Sequence, residues 1–187
     1  MDTLPSNADL KSRAELFQRR RMATYGAAAA VFALDRLSKW LVETRVAPWE
    51  TYAVIPHFFN IIHSRNSGAA FGLLSHAGGP WRTILLVGFS AAALAVLAAL
   101  LWRPGSGARE RAALAIGLAL ILGGAAGNVY DRVMFGSVTD FLDVYVGEYH
   151  WFTFNVADSA ITTGAALFLL DMWQTRHRGE PKAESQS

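Results

Sequence analysis

The chain of 187 residues is 52% hydrophobic and only 17% charged, whereas ordinary soluble domains carry about 25% charged residues, which excludes a disordered segment and a typical cytosolic globule. Seventeen Lys+Arg against fifteen Asp+Glu leave a net charge of +2, an excess too small for a surface built to neutralise phosphates, so nucleic acid is not an expected partner. Cysteine is absent, so disulfides, thiolate nucleophiles and cysteine-held metals are excluded, and any chemistry falls to carboxylates, hydroxyls, His, Lys or Arg.

Residues 1–21 are polar and read as a cytosolic tail, frayed or lying on the membrane surface. The first span covers about 22–43 and is apolar apart from Asp35, Arg36 and Lys39. Arg19-Arg20-Arg21 ahead of Met22–Leu34 also has the lengths of a cleaved signal peptide; the residues after it join a wider pattern that favours a retained helix. Residues 44–81 form an outer segment, with aromatic and β-branched residues over Thr51–His63 and a turn signal at Asn66-Ser67-Gly68, and a few short strands on the membrane surface are expected there. The second span covers about 82–102, with no charge from Thr83 to Trp102. Pro104-Gly105-Ser106-Gly107 marks a tight turn before the third span, about 112–134. The fourth covers about 155–174, and 175–187 is a polar C-terminal tail. Each span is close to the length a helix needs to cross about 30 Å of hydrocarbon. The expected fold is an all-α membrane protein, a four-transmembrane-helix bundle forming one domain over 22–174.

Eleven of the seventeen Lys and Arg fall in the two tails and the Arg103–Arg111 turn, which places those segments and both termini in the cytoplasm. The opposite loops, Glu43–Arg82 and Val133–Asn155, carry Trp49, Tyr52, Phe58, Phe59, Tyr145, Tyr149, Trp151 and Phe152, residues suited to the outer membrane–water interface.

A carboxylate in a span costs roughly 2.5–3.5 kcal/mol on insertion, so each needs a partner or a function. Asp171 reads as a solvated helix end. Asp35 and Lys39 are four apart on one helix face and neutralise each other, a structural pair. Asp131 sits at the C-terminal end of the third helix, where the dipole disfavours an anion, and reads as a polar clamp to a neighbour. On the same helix Gly123 and Gly127 have small-xxx-small spacing, a packing device. Asp158 follows Asn155 by three and can serve as a capping-box acid; the same helix N-terminus would hold it anionic near the membrane surface. Asp140 follows the third helix by a short loop, and the stretch to Asp158 is long enough to go out and return. The two carboxyls can therefore meet at one depth, where a close pair shares a proton and works as acid and base around one water.

Other constellations are weaker. His57, His63, His76 and His150 lack metal-ligand spacing. Asp140 and Asp143 form a D-x-x-D that can hold Mg²⁺ in a phosphate-handling membrane enzyme.

The blocks Asp35-x-x-x-Lys39, Arg65-Asn66-Ser67-Gly68-Ala69-Ala70-Phe71-Gly72, Gly123–Arg132, Val138-Thr139-Asp140-Phe141 and Phe154-Asn155-Val156-Ala157-Asp158-Ser159-Ala160, in that order, resemble the signature blocks of lipoprotein signal peptidase, the bacterial signal peptidase II. The resemblance covers about residues 30–171. It implies an intramembrane aspartic endopeptidase of the inner membrane that cuts lipid-modified prolipoproteins just before the diacylglyceryl-cysteine. It further implies a dyad of Asp140 and Asp158 near the outer face, no metal and no cofactor, and membrane lipid as surroundings for a monomer. Asn66, Gly68, Asn128, Arg132 and Asn155 would line the site, Asp35, Lys39 and Asp131 would be structural, the outer segment would form a small extracytoplasmic β-cradle, and Gly68–Gly72 would lie over the cleft. Thr139 stands where an apolar residue is more usual. A proton-coupled transporter subunit using Asp35, Asp131 and Asp158 is the alternative reading.

Overall fold

A computed structural model describes residues 6–68 and 112–178, together with a few isolated positions between 84 and 99, which are helical. The rest of the expected second span lies outside the described residues, as do Ala69–Gly72 and the end of the C-terminal tail.

Helix α1 runs from Asn7 to Arg45, 39 residues, or about 58 Å at 1.5 Å per residue, nearly twice the hydrocarbon thickness. From Asn7 onward the N-terminal tail is helical and continues unbroken into the first span. Its Ala, Glu, Leu, Gln and Arg residues are good helix formers, and no proline interrupts the helix after residue 5. Helix α2 spans Ala112–Phe135, and its Ala113–Phe135 portion, mean hydropathy 1.7, is the one helix among the described residues long and apolar enough to cross a membrane. It ends at Gly136, whose φ of +71° and N–H bond to the Arg132 carbonyl (3.1 Å) form a left-handed cap that a side chain would strain. Helix α3 spans Val156–Arg178.

Strands β1 (Thr51–Ile55), β2 (Phe59–Asn66), β3 (Val138–Val146) and β4 (Tyr149–His150) form one antiparallel sheet in the order β1-β2-β3-β4. Two of these come from the outer segment where strands are expected. The other two do not: the region after α2 is a strand rather than a plain loop, because Val138–Val146 is rich in β-branched and aromatic residues and pairs with β2, Ser64 opposite Asp140 and Asn66 opposite Val138. The sheet is thereby tied to the C-terminal end of α2 and the N-terminal end of α3.

α2 packs against both α1 and α3. Close approach to α1 depends on Gly123 and Gly127: a Cβ at Gly123 would run into the Ala28 carbonyl, and one at Gly127 into the Asp35 carboxylate. The distribution of polarity is the inverse of a soluble protein. Asp35, Lys39, Asn128, Asp131, Asp140 and Asn155 are buried, while Leu34, Leu37, Trp40, Ile116, Val133, Leu169 and Trp173 are exposed. Apolar side chains outward and charges inward suit a hydrocarbon surround, where an unpartnered charge facing out would be costly.

Candidate active site

Asp140 is placed by β3 and is 3% exposed. Its Oδ1 accepts from Asn155 Nδ2 at 2.7 Å and its Oδ2 from Asn66 Nδ2 at 2.9 Å. Burial pushes its carboxyl up to about 6; the negative charge of Asp158 adds to the rise, and the Asn66 and Asn155 amides and the Lys39 charge oppose it.

Asp158 is placed by the first turn of α3. Its backbone N–H donates to Asn155 Oδ1 at 3.0 Å, and its Oδ2 accepts the Asn155 backbone N–H at 3.3 Å. This is the reciprocal capping box that the N-x-x-D spacing suggests. Capping and a site role do not compete here, because the cap fixes the carboxyl's rotamer while Oδ1 turns to Asn128 Nδ2 at 2.8 Å. Asn155 is fully buried, and its one side chain bonds the Asp140 carboxylate and the Asp158 backbone N–H. The Asp158 carboxylate is close enough for its charge to act on Asp140.

Beneath the pocket lies a charged layer on α1. Lys39 Nζ donates to Asp35 Oδ2 at 2.7 Å and to Asn128 Oδ1 at 3.0 Å. It lies 2.8 Å from Asp131 Oδ2, an ion pair off the hydrogen-bond direction. Arg36 pairs with the other Asp131 oxygen and stacks over Tyr130 and Phe135. Asp35 Oδ1 accepts the Ala157 N–H at 2.9 Å, fastening the start of α3 to α1. Asp35 and Asp131 meet Lys39 and Arg36, so these four charges balance one another, the condition under which buried charge is tolerated. Asn128 connects it to Asp158.

Arg132 donates to the Asn128 carbonyl at 3.2 Å and to the Gly68 carbonyl at 3.1 Å, and its charge faces both Asp140 and Asp158. Asn66 Oδ1 accepts the Gly68 N–H at 2.9 Å. Asn66, Gly68, Asn128, Arg132 and Asn155 therefore surround the two acids, while Asp35, Lys39 and Asp131 stand one layer away.

The D-x-x-D reading does not survive. Residues three apart on a strand point to opposite faces, and Asp143 turns away from Asp140 to accept Asn60 Nδ2 at 2.8 Å and His150 Nδ1 at 2.9 Å. His63 Nδ1 bonds the Val46 carbonyl at 2.8 Å, and among the described residues no three acidic or imidazole groups gather as metal ligands. Glu43, not among the residues expected at the site, accepts a hydrogen bond from Thr139 Oγ1 at 2.6 Å. The available signal was its i,i+4 spacing from Lys39, itself i,i+4 from Asp35, which puts three charges on one face of α1.

The sequence profile described as Signal peptidase (SPase) II matches residues 27–174. The chain is 54% identical over 158 residues to the lipoprotein signal peptidase of Solibacter usitatus (strain Ellin6076), covering 84% of this chain and 94% of that protein. It is 42% identical over 170 residues to the lipoprotein signal peptidase of Alteromonas mediterranea, covering 91% and 89%. A bacterial membrane enzyme structure obtained by the in meso method at 2.3 Å is similar with a TM-score of 0.74 and 29% identity over 86% of this chain and 93% of that one.

Proposed function

The chain belongs to the signal peptidase II family, and from that premise we propose that it is an intramembrane aspartic endopeptidase whose dyad is Asp140 and Asp158. The substrate is a prolipoprotein whose signal helix enters sideways from the bilayer, and the bond cut is the one just before the lipidated cysteine. The observation that carries this reading is Asn155, a buried side chain hydrogen-bonded to Asp140 and to the backbone of Asp158.

Asp140 is the proton-bearing partner, since burial favours its neutral form. Asp158 sits at a helix N-terminus and accepts two N–H groups, so it serves as the base. Asp158 takes a proton from water as the oxygen attacks the scissile carbonyl carbon, and Asp140 gives its proton to the carbonyl oxygen. When the tetrahedral centre collapses, that hydroxyl proton returns to Asp140, the C–N bond breaks, and the proton on Asp158 passes to the leaving amine. The products are a signal peptide with a free carboxylate and a lipoprotein with a free α-amine. Arg132 holds the chain at Gly68 beside the cleft.

The topology that fits is four spans in a single domain over 22–174, both termini cytoplasmic and the sheet at the outer interface. A transporter needs acids free to titrate through the membrane, whereas Asp35 and Asp131 are held by Lys39 and Arg36. Digestion of a lipidated prolipoprotein tests the proposal: Asp140→Asn and Asp158→Asn each abolish cleavage in folded, inserted protein, and EDTA leaves the wild type active. Substantial turnover by either variant refutes the dyad.

A further inference from the structure

The β2–β3 ladder fixes Asp140 along the sheet, with a register shift between Ile61 and Ser64 just before it; it does not fix the distance of β3 from the helices. Against α3, β3 is held by Asn155 Nδ2, which reaches both Asp140 Oδ1 and the Thr139 carbonyl; against α1 it is held by a different contact. Thr139, the neighbour of Asp140, is fully buried, and its hydroxyl donates to Glu43 Oε1 at 2.6 Å. The other Glu43 oxygen, Oε2, lies 3.8 Å from Arg36, the same guanidinium that pairs with Asp131. Asp158 is referred to the same helix by a second route, through Asn128 to Lys39. Asp35, Lys39 and Glu43, on successive turns of one face of α1, thus act on both acid-bearing elements: Asp35 holds the start of α3, Lys39 holds Asn128, and Glu43 holds β3.

We propose that Glu43 and Thr139 are positioning residues for the cleavage reaction, their partly buried hydrogen bond setting β3 against α1 and so the reach of Asp140 toward Asp158. This inference rests on the dyad reading. An apolar side chain at 139 would fill the same space yet leave β3 with no polar tie to α1. With that tie gone, β3 is free to drift, and the bonds from Asn66 and Asn155 to Asp140 lengthen. Both bonds favour the carboxylate, so their loss makes Asp140 keep its proton to higher pH. The charged groups facing it, Asp158 on α3, Arg132 on α2 and Lys39 on α1, are unchanged by substitutions at 43 and 139.

The test measures kcat, KM and the pH profile of the full chain in detergent with a lipidated prolipoprotein. Thr139→Val lowers kcat by roughly tenfold to a hundredfold, the scale of a small misplacement at a reacting centre, leaves KM within about twofold, and moves the alkaline limb of kcat/KM to higher pH. Thr139→Ser, which keeps the hydroxyl, restores both kcat and the limb. Glu43→Met, which keeps length and removes the acceptor, repeats the Val phenotype and carries the test if Thr139→Val does not fold. Wild-type kcat and an unmoved limb in folded Thr139→Val or Glu43→Met overturn the proposal, as does a Ser variant as impaired as Val. Failure of the dyad itself is seen separately, as turnover by Asp140→Asn or Asp158→Asn.

Discussion

Asn155 Nδ2 donates to Asp140 Oδ1 across 2.7 Å, and Asn155 is fully buried. The same residue caps α3 through its Oδ1, so its two functions can be separated by chemistry. Asn155→Asp keeps a capping oxygen, worth about 1 kcal/mol at such a position, but replaces the amide donor with a third acid beside the dyad. The expected outcome is a melting temperature near wild type together with at least about a 10²-fold loss of kcat, the scale of removing a preorganised donor. Full activity in Asn155→Asp would show that the bridge to Asp140 is dispensable.

The raised carboxyl of Asp140 has two consequences of definite sign. With its titration at about 6, the free enzyme's dyad loses its shared proton above that pH, so kcat/KM declines on the alkaline side from about pH 6. Bound substrate excludes water and moves the corresponding limb of kcat further up. For stability, a folded-state value above the unfolded one favours folding while the group is protonated. That contribution is complete below about pH 4 and is lost as pH rises through 6. Asp140→Asn therefore melts higher than wild type at pH 8, by on the order of 2–3 kcal/mol, and the gap closes toward pH 4. A gap that is flat or reversed with pH contradicts the burial argument.

What could be read from the sequence was local. The Asp35–Lys39 pair and the Asn155–Asp158 cap lie within one helical turn, where the period fixes who meets whom. The glycine spacing at 123 and 127 marked a close helix contact for the same reason. The partners of Asp131 could not be read, because Arg36 and Lys39 lie on another helix. Nor could the bond between Thr139 and Glu43, which joins residues 96 apart. The strand that carries Asp140 could not be read either, because it is stabilised by pairing with β2, a long-range property that a nine-residue window carries only as composition.

Lys39 is the electrostatic keystone of the charged layer. Removing it leaves Asp35 buried without its cation and Asp131 with Arg36 alone, and breaking a buried pair costs about 3–5 kcal/mol. Lys39→Met is expected to lower the melting temperature sharply or to prevent accumulation of folded protein. Asp35→Asn combined with Lys39→Met removes one charge of each sign, still offers an oxygen to the Ala157 N–H, and recovers most of the loss. A double variant no better than Lys39→Met alone would mean that packing rather than charge balance dominates at this layer.

Gly127 is where helix packing and the charged layer meet, since a Cβ there would collide with the Asp35 carboxylate rather than with a movable side-chain tip. Asp35 cannot yield, because Lys39 holds one oxygen and the Ala157 N–H the other. Gly127→Ala must therefore part α1 from α2 or break the Asp35–Lys39 pair. Overpacking of this kind costs about 1–3 kcal/mol, and displacement of Asn128, the next residue, disturbs the support of Asp158. Gly26, also within α1, has open space at its Cβ position, so Gly26→Ala gains helix propensity, about 0.8–1 kcal/mol in a helix interior. The two substitutions are the same in chemistry and opposite in expected sign. Thermal melts in one detergent should show Gly26→Ala above and Gly127→Ala below wild type, with cleavage reduced in Gly127→Ala; equal melts would remove the steric basis for the close α1–α2 contact.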